Sequence, residues 1–273
     1  PIFKYKITIW SQDLWPDTIY AYGLKHTKFI ALILNTLVRF IYSGCDTILI
    51  SCHGFKDKIT ALLKSSKPIY WVPNWPMVDG FSEEKAALPQ GFNFSFAGNI
   101  GKVQNLDFVV RGFKNVVAQY PEAYLNIIGD GSYLETLKNI CTTEQIPHVN
   151  FTGRQPLQDM PAYFAASDVL LISLVDVPLY EIMIPSKFQT YLTAKKPIYS
   201  IMKGEVSTMV VDEHIGVSAM PSDLLAIEKG FIHFLSASPE VLNAMSNSSE
   251  TLLDTHFNAV KTKVYLNNIF WND

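Results

Sequence analysis

Four short stretches in the middle of the chain combine glycine, lysine, arginine and serine in a way that suits a phosphate. They are Gly98-Asn99-Ile100-Gly101-Lys102, Gly129-Asp130-Gly131, Gly153-Arg154 and Pro185-Ser186-Lys187. Glycine lets a ligand approach the backbone, and amides at helix starts bind anions together with basic side chains. Most of the stretches follow an apolar run and precede a helix-like segment. Because such loops gather at one edge of a parallel sheet, the set predicts a nucleotide or sugar-phosphate site.

Three of these stretches have a structural interpretation that stays open beside the functional one. The first fits an ordinary strand–helix turn with Lys102 in solvent. Asp130 can cap a helix beginning near Ser132, although two flanking glycines favour a ligand close to the backbone. Arg154 suits the oxygens of a diphosphate or the plane of a base, and this interpretation depends on its place in the series.

The sharpest prediction concerns Pro185-Ser186-Lys187, which lies at the start of a predicted helix over 186–194. A helix start exposes unpaired N–H groups with about half a positive charge, and Lys187 adds to it. Simple capping by Ser186 is the alternative, and the anion interpretation is favoured. The three residues are therefore predicted to hold a diphosphate.

Two acidic residues are candidates for the sugar-facing side of the site. Glu181 is the only glutamate between the predicted strand ending at Ser173 and the Pro185 stretch, and Asp13 follows the first predicted strand. Each also has a structural alternative, a solvated loop residue for Glu181 and a helix cap for Asp13. No Ser/His/Asp or Cys/His arrangement and no metal-ligand spacing is readable.

Alternating strands and helices position these loops. Strands are predicted over 6–10, 47–50, 69–72, 94–97, 123–128, 149–151, 169–173, 197–201 and 216–219. Helices are predicted over 27–43, 54–63, 106–119, 132–141, 157–165, 186–194, 205–212, 223–234, 239–256 and 258–270. This alternation predicts an α/β protein whose parallel strands are joined by crossover helices.

The chain is predicted to contain two unequal Rossmann-like parts. Residues 1–75 form a partial domain of about three strands, 76–92 a linker rich in proline and polar residues, and 93–257 a complete six-strand domain. A last helix occupies 258–273. The incomplete first part leads us to expect that the sequence is a piece of a longer, N-terminally truncated protein.

Composition excludes several classes of protein. Apolar residues make up 48% and charged residues 17% of the chain, and the net charge is −3, which indicates a core-rich protein with no field for nucleic acid. The three cysteines lack disulfide or metal spacing and predict buried thiols in a reducing compartment. The apolar segment 29–42 is too short to span a bilayer. It is interpreted as a helix packed on a sheet, with a helix lying on a lipid surface as the less favoured alternative.

The ordered motifs resemble a known family, the retaining "group 1" glycosyltransferases of the GT-B fold, of the family 4 type. The resemblance covers nearly the whole chain. It is carried by Gln12-Asp13-Leu14-Trp15-Pro16, Val72-Pro73-Asn74-Trp75, Gly98-Asn99, Gly129-Asp130-Gly131, Gly153-Arg154 and Pro185-Ser186-Lys187 followed by Tyr191-Leu192. It looks closest to the branch that adds amino sugars or deoxysugars to cell-surface polysaccharides.

The resemblance implies a nucleotide-diphosphate sugar as donor and a glycan or lipid-linked acceptor, without a metal or other cofactor. It implies an acceptor-side N-terminal domain, a donor-binding C-terminal domain and a last helix that crosses back to the first. The donor-binding residues would be Gly98, Asn99, Lys102, Gly129, Asp130, Gly131, Arg154, Pro185, Ser186, Lys187 and Thr190, and the catalytic candidates Glu181 and Asp13. We expect a cytoplasmic protein. In an alternative, the protein is attached peripherally to the inner face of the membrane.

Two departures from the family pattern keep other hypotheses open. Gln12 stands where many members have histidine, and Thr190 stands where many have a glutamate that holds the ribose. A hydroxyl binds more weakly than a carboxylate. The first alternative is therefore a non-catalytic or degenerate nucleotide-sugar binding subunit that acts with a partner, such as a separate N-terminal fragment. A weaker one is a GT-B-like epimerase.

Overall fold

The computed structural model describes residues 5–21, 25, 27–76 and 81–271. Nine β-strands lie within these ranges. They are β1 (Thr8–Ser11), β2 (Thr47–Ile50), β3 (Ile69–Trp71), β4 (Phe92–Ala97), β5 (Ala123–Ile128), β6 (Val149–Gly153), β7 (Val169–Ser173), β8 (Ile198–Ile201) and β9 (Gly216–Ala219).

Twelve α-helices lie within the same ranges. They are α1 (Asp17–Ala21), α2 (Lys28–Gly44), α3 (Phe55–Leu62), α4 (Leu106–Gln119), α5 (Leu134–Thr143), α6 (Met160–Ala166), α7 (Pro178–Glu181), α8 (Lys187–Thr193), α9 (Glu205–Asp212), α10 (Leu224–Ser236), α11 (Pro239–His256) and α12 (Ala259–Trp271). Short 3₁₀ turns precede two of them, Lys102–Gln104 before α4 and Leu157–Asp159 before α6. None of the described helices is long and apolar enough to cross a membrane.

The chain divides into two compact units, and the smaller comprises 1–74, 177–184 and 259–273. Its sheet has the order β1-β2-β3, and all the pairs are parallel. Parallel strands need crossover connections, which α2 and α3 supply. The ring of Tyr265 in α12 packs edge-on against Tyr70, with 6.5 Å between centroids, so this helix is tied to β3.

The larger unit comprises 75–176 and 185–258 and holds a parallel sheet of order β6-β5-β4-β7-β8-β9. The chain begins at the centre with β4, adds β5 and β6 on one side, and then returns to add β7, β8 and β9 on the other. The strand order therefore reverses between β4 and β7. In open α/β sheets, ligands bind at the carboxyl ends of the strands at such a point.

An aromatic core holds the larger unit's sheet between its helices. Phe94 of β4 meets Phe113 of α4 and Phe231 of α10 edge-to-face, with centroids 6.4 and 4.8 Å away. All three rings are fully buried. Burying a phenylalanine side chain contributes about 1.5–3 kcal/mol. This packing makes β4 a rigid support for the loop that follows it.

The predicted fold class, α/β with parallel Rossmann-like sheets, is confirmed. Four strands have the predicted bounds, namely β2, β5, β7 and β9. The sequence prediction missed α1 and α7, each of five residues or fewer. Part of the predicted linker, residues 77–80, lies outside the described residues, as do 1–4 and 272–273 of the predicted terminal segments. The three cysteines are buried, as expected.

Candidate functional site

A cavity of about 680 Å³ opens in the larger unit at the carboxyl ends of β4, β5 and β6. One side is formed by the loops after these strands and the other by α6 and α8. The lining residues are Ala97, Gly98, Asn99, Ile128, Gly129, Asp130, Gly131, Arg154, Gln155, Pro156, Leu157, Met160, Phe164, Lys187, Thr190 and Tyr191. Three of the four sequence stretches are therefore brought together with Lys187 of the fourth.

Backbone hydrogen bonds fix the three strand-end loops to one another. The N–H of Gly98 donates to Ile128 O at 2.9 Å, and the N–H of Gly129 donates to Gly153 O at 2.9 Å. One residue further along, the N–H of Ile100 donates to Asp130 O at 2.8 Å. The sheet ladder thus continues past the strands, and the cavity wall is a rigid backbone surface.

Close contact between these loops explains the glycines at 129 and 131. A Cβ on Gly129, whose φ is +144°, would lie 1.9 Å from the carbonyl oxygen of Gly98. A Cβ on Gly131 would lie 2.3 Å from the carbonyl oxygen of Ile100. The glycines make room for protein backbone, so their presence does not require the approach of a ligand that the sequence favoured.

Asp130 does not cap a helix. The structure begins α5 at Leu134, two residues after the predicted start, and the preceding residue makes no side-chain cap. The Asp130 carboxylate instead accepts from the N–H of Gly131 at 2.7 Å and stays exposed beside the cavity. Its second oxygen can accept a hydrogen bond from a ligand hydroxyl.

The first loop also differs from its prediction. Instead of exposing free helix amides, it uses the N–H groups of Gly98 and Ile100 in the ladder, and the N–H of Gly101 donates to Gln104 Oε1 at 2.8 Å. The 3₁₀ turn separates this loop from the start of α4. Three amides of this loop are therefore already used within the protein.

The helix α8 is pinned to the end of β4 by Tyr191. The N–H of Ala97 donates to the Tyr191 hydroxyl at 2.9 Å, and that hydroxyl donates to Ala97 O at 3.3 Å. Tyr191 is fully buried, and burial raises the pKa of its phenol. Because residues four apart lie on the same side of a helix, Lys187 projects toward the same strand end.

The amine of Lys187 occupies an apolar corner of the cavity. Its Nζ lies 3.9 Å from the centroid of the Phe96 ring, and a Cβ on Gly98 would be 3.3 Å from it. The nitrogen is buried and has no hydrogen-bond partner among the described residues, although the residue as a whole is partly exposed. A buried ammonium without a counter-ion is costly, so this corner is built for an anion that is supplied from outside.

Burial lowers the pKa of Lys187 to about 7, from an ordinary value of 10.5. The free site therefore holds an amine that loses its proton far more readily than an ordinary lysine. A diphosphate beside it would favour the charged form and raise that pKa. The prediction that Lys187 helps to hold a diphosphate stays a prediction.

Arg154 and Thr190 are the other predicted polar residues in the cavity wall. Arg154 is exposed and makes no ion pair with any residue that the structure describes. Its guanidinium presents five donors in a fixed fork that matches phosphate oxygens. Thr190 follows Lys187 by three residues on α8, where its hydroxyl can hydrogen-bond a ligand.

Three of the predicted donor-binding residues do not line the cavity, namely Lys102, Pro185 and Ser186. Lys102 begins the 3₁₀ turn and is exposed. Ser186 holds the N-cap position of α8, but its side chain makes no capping bond because its backbone is already helical (φ −57°, ψ −24°). Capping, one of the two alternatives, is therefore not seen for its hydroxyl, and the diphosphate contact stays a prediction.

The two catalytic candidates, Asp13 and Glu181, belong to the smaller unit. Asp13 lies between β1 and α1, and its backbone carbonyl accepts from Ser11 Oγ at 3.1 Å. Glu181 ends α7, a short helix that packs against α1. Their catalytic roles stay predictions.

Sequence reasoning missed the apolar wall of the cavity. It consists of Pro156, Leu157, Met160 and Phe164, which follow Arg154 in the loop after β6 and in α6. Leu157 has 65% of its surface exposed, which is unusual for a leucine beside a helix start. The signal available in the sequence was an apolar pair directly after Arg154 and Gln155.

The described residues contain no group of three or more His, Cys, Asp or Glu side chains that could hold a metal ion. The predicted absence of a metal cofactor stays a prediction.

The family model for glycosyl transferases group 1 matches residues 81–251, which include every residue of the cavity wall. The chain belongs to this family. A similar curated protein is the probable glycosyltransferase WbjE of Pseudomonas aeruginosa, which is 25% identical over 239 residues. That match covers 83% of this chain and 58% of WbjE, so the chain spans less than two thirds of this relative.

Solved structures agree on the fold. Sucrose-phosphate synthase from Thermosynechococcus elongatus superposes with a TM-score of 0.76 at 13% identity, covering 99% of this chain and 68% of that one. HepE from Anabaena, in complex with UDP and glucose, gives a TM-score of 0.74 at 10% identity, covering 97% and 71%. The GT-B architecture predicted from the motifs is therefore confirmed.

Proposed function

We propose that this chain is a glycosyltransferase that moves a sugar from a nucleotide-diphosphate sugar to an acceptor, with retention of configuration, in cell-surface polysaccharide synthesis. The cavity of the larger unit receives the donor, and its diphosphate lies against Lys187. Family membership supports the reaction class, and the UDP complex of HepE supports a nucleotide ligand. The polysaccharide role and the retention rest on the motif resemblance.

The observation that carries the proposal is the buried amine of Lys187. It faces the cavity, stands against the Phe96 ring, and has no hydrogen-bond partner among the described residues. A lysine with only a structural role would reach solvent or a carboxylate, since both lower the cost of its charge. A diphosphate supplies the negative charge that the amine lacks and accepts hydrogen bonds from the three N–H groups of the ammonium.

The reaction breaks the bond between the sugar C1 and the terminal phosphate oxygen, and the acceptor hydroxyl oxygen forms the new bond to C1 on the same face. The proton of that hydroxyl goes to the departing phosphate, which leaves as a nucleoside diphosphate. Negative charge grows on the diphosphate as the bond breaks. Protonated Lys187 stabilises this charge, and such stabilisation is usually the largest catalytic contribution.

The remaining wall orients the donor. Arg154 reaches the diphosphate or the base, and the apolar residues from Pro156 to Phe164 cover the less polar side of the ligand. Asp130 cannot face a phosphate without repulsion, so its carboxylate accepts from a hydroxyl of the ribose or the sugar. Thr190 donates or accepts a hydrogen bond in the position where other members of the family use a glutamate.

Calorimetric titration with UDP and with GDP tests the proposal. The wild-type chain is expected to bind at least one of them, and Lys187→Met to bind it at least about tenfold more weakly, because a buried charge partner is lost. Lys229→Met, an exposed lysine of α10 away from the cavity, is the matched control and should change affinity by less than about twofold. No binding at millimolar nucleotide, or equal binding by Lys187→Met, would overturn the proposal.

Three further measurements test the finer assignments. NMR of the product's anomeric proton reports whether configuration is retained, and an inverted product contradicts that part alone. Turnover in EDTA tests the predicted independence from metal. Donor incubated without acceptor separates transfer from epimerisation, since an epimerase changes the free nucleotide sugar.

A further inference from the structure

The surroundings of the Lys187 amine favour its neutral form. The Nζ atom is buried, lies 3.9 Å from the centroid of the Phe96 ring and has no hydrogen-bond partner among the described residues. An ammonium ion in this corner has neither water nor an acceptor to share its charge, so the free amine is less costly there. The pKa of Lys187 is accordingly lowered by burial to about 7.

A neutral amine is a nucleophile, because its nitrogen has a free lone pair, whereas an ammonium ion has none. An ordinary lysine in water is neutral only about one time in a thousand at pH 7.5. Desolvation in an apolar pocket is one of the ways in which proteins activate a lysine as a nucleophile. Lys187 therefore meets the first requirement of a side chain that reacts with an electrophile.

The amine also stands where a small molecule can reach it. Lys187 and Gly98 both line the cavity of about 680 Å³, and a Cβ on Gly98 would lie 3.3 Å from Nζ. Lys187 as a whole is partly exposed, and the flexible four-carbon stem of a lysine lets its amine move toward the cavity. A reagent that enters the cavity therefore meets a nucleophile in its wall.

The charges of the cavity wall select the kind of reagent. Arg154 lines the same cavity, is exposed, and carries a guanidinium fork that matches phosphate oxygens. Asp130 is the carboxylate of this wall, and it turns an anion toward the basic residues. A small electrophile with a phosphate group is therefore favoured over an uncharged one. An acyl phosphate joins such a group to a reactive carbonyl carbon.

We propose that Lys187 is a modification site for acyl phosphates, and that its acylation closes the cavity to a nucleotide diphosphate. The lone pair of Nζ attacks the acyl carbonyl carbon, and the bond from that carbon to the phosphate oxygen breaks. Inorganic phosphate leaves with the electron pair of this bond, and the amine gives one proton to water. The product is an uncharged amide on the lysine.

The closing of the cavity rests on the proposed function, whereas the acylation itself does not. An amide nitrogen cannot be protonated near neutral pH, so acylated Lys187 has no charge to offer a diphosphate. The uncharged side chain suits the apolar corner beside Phe96. The acylated chain should therefore bind nucleotide at least about tenfold more weakly than the free chain.

Incubation of the whole chain with acetyl phosphate, followed by mass spectrometry of its peptides, tests the modification site. Lys187 is expected to be acetylated at least about tenfold faster than Lys102 and Lys229. These two lysines are exposed and serve as controls within the same molecule. The comparison needs no variant, so a folding defect cannot obscure it. Equal or slower acetylation of Lys187 would overturn the proposal.

A second reagent separates attraction of the phosphate from reactivity of the amine. Acetyl phosphate should label Lys187 at least about threefold more slowly in Arg154→Met than in wild type, because a phosphate contact is lost. The uncharged ester p-nitrophenyl acetate should label Lys187 equally in both. Equal slowing with both reagents, or no slowing with acetyl phosphate, would overturn the assignment to acyl phosphates.

Nucleotide protection distinguishes this proposal from the proposed function. UDP or GDP, whichever binds in calorimetry, should slow acetylation of Lys187 at least about tenfold when it saturates the chain. Slow acetylation in a chain whose nucleotide binding depends on Lys187 contradicts the modification site alone. Fast acetylation that bound nucleotide does not slow contradicts the placement of the diphosphate against Lys187, and with it the closing of the cavity.

Discussion

Gly98 and Gly129 directly follow neighbouring strands of one sheet and have similar φ angles, +133° and +144°, but the space beside each is used differently. Beside Gly129 lies the carbonyl of Gly98, which the rigid ladder fixes. Beside Gly98 lies the amine of Lys187, the end of a flexible side chain. One glycine serves the fold, and the other leaves room for the group that we assign to the ligand.

The difference teaches that a glycine in a phosphate-type loop is not by itself evidence of a ligand. Both positions give the same sequence signal, a strand followed by Gly-Asn or Gly-Asp. Only the atom next to the glycine decides whether the space left by the absent side chain is filled by backbone or by a mobile charged group.

Gly129→Ala should destabilise the fold by about 3 kcal/mol or more. Its Cβ would overlap backbone, which cannot move without breaking the ladder, and the positive φ adds about 1–2 kcal/mol of strain. Chemical denaturation measures the loss. Gly153→Ala is the matched control, since its φ is +72° but no atom lies within 4 Å of the added Cβ. It should lose only the strain, and equal losses in both variants would contradict the packing argument.

Lys187→Met should stabilise the free protein at neutral pH by about 1–3 kcal/mol, because an apolar side chain suits the corner beside Phe96 better than a charge. The same variant should bind nucleotide at least about tenfold more weakly. A gain in stability with a loss of function is typical of a group retained for its ligand. A less stable variant would show that the amine has a structural role.

The stability of wild type relative to Lys187→Met depends on pH in a direction that can be worked out. The pKa of Lys187 is about 7 in the fold and 10.5 unperturbed, so between these values the unfolded chain binds more protons. Wild type should therefore gain on the variant as pH rises from about 7 to 10. The slope cannot exceed about 1.4 kcal/mol per pH unit. A constant difference would contradict the buried amine.

Arg154→Met and Lys102→Met compare a basic residue that lines the cavity with one that does not. The sequence predicted Lys102 near the phosphates and Arg154 near the base or the diphosphate, and of these two residues Arg154 alone lines the cavity. Arg154→Met should weaken nucleotide binding by about tenfold, whereas Lys102→Met should change it by less than about threefold. Calorimetry with the same nucleotide compares them, and a larger loss for Lys102→Met would restore the sequence prediction.

The fold was predictable where the signal is local. Apolar runs such as 123–128 and 169–173 mark buried parallel strands, whose bounds came out as predicted. Short helices gave no such signal, since α7 has only four residues and begins with Pro178. The predicted start of α5 was early because Gly131 and the residues after it turn before the helix begins.

The site was predictable in outline only. Loop order brought Gly98, Gly129 and Arg154 to one edge, as parallel topology requires. Contacts between distant residues set the rest: the carbonyl of Gly98 beside Gly129, and the ring of Phe96 beside Lys187. No pattern along the sequence shows that the amine of Lys187 is buried against the ring of Phe96, which lies 91 residues earlier in the chain.

Proton uptake on nucleotide binding tests whether the diphosphate lies against Lys187. A diphosphate that raises the pKa of Lys187 must draw a proton from the buffer when the free amine is deprotonated. Titration of wild type with UDP or GDP at pH 8, in buffers of different ionisation enthalpy, should report about one proton taken up per nucleotide bound. Binding without proton uptake would place the diphosphate elsewhere and contradict the account.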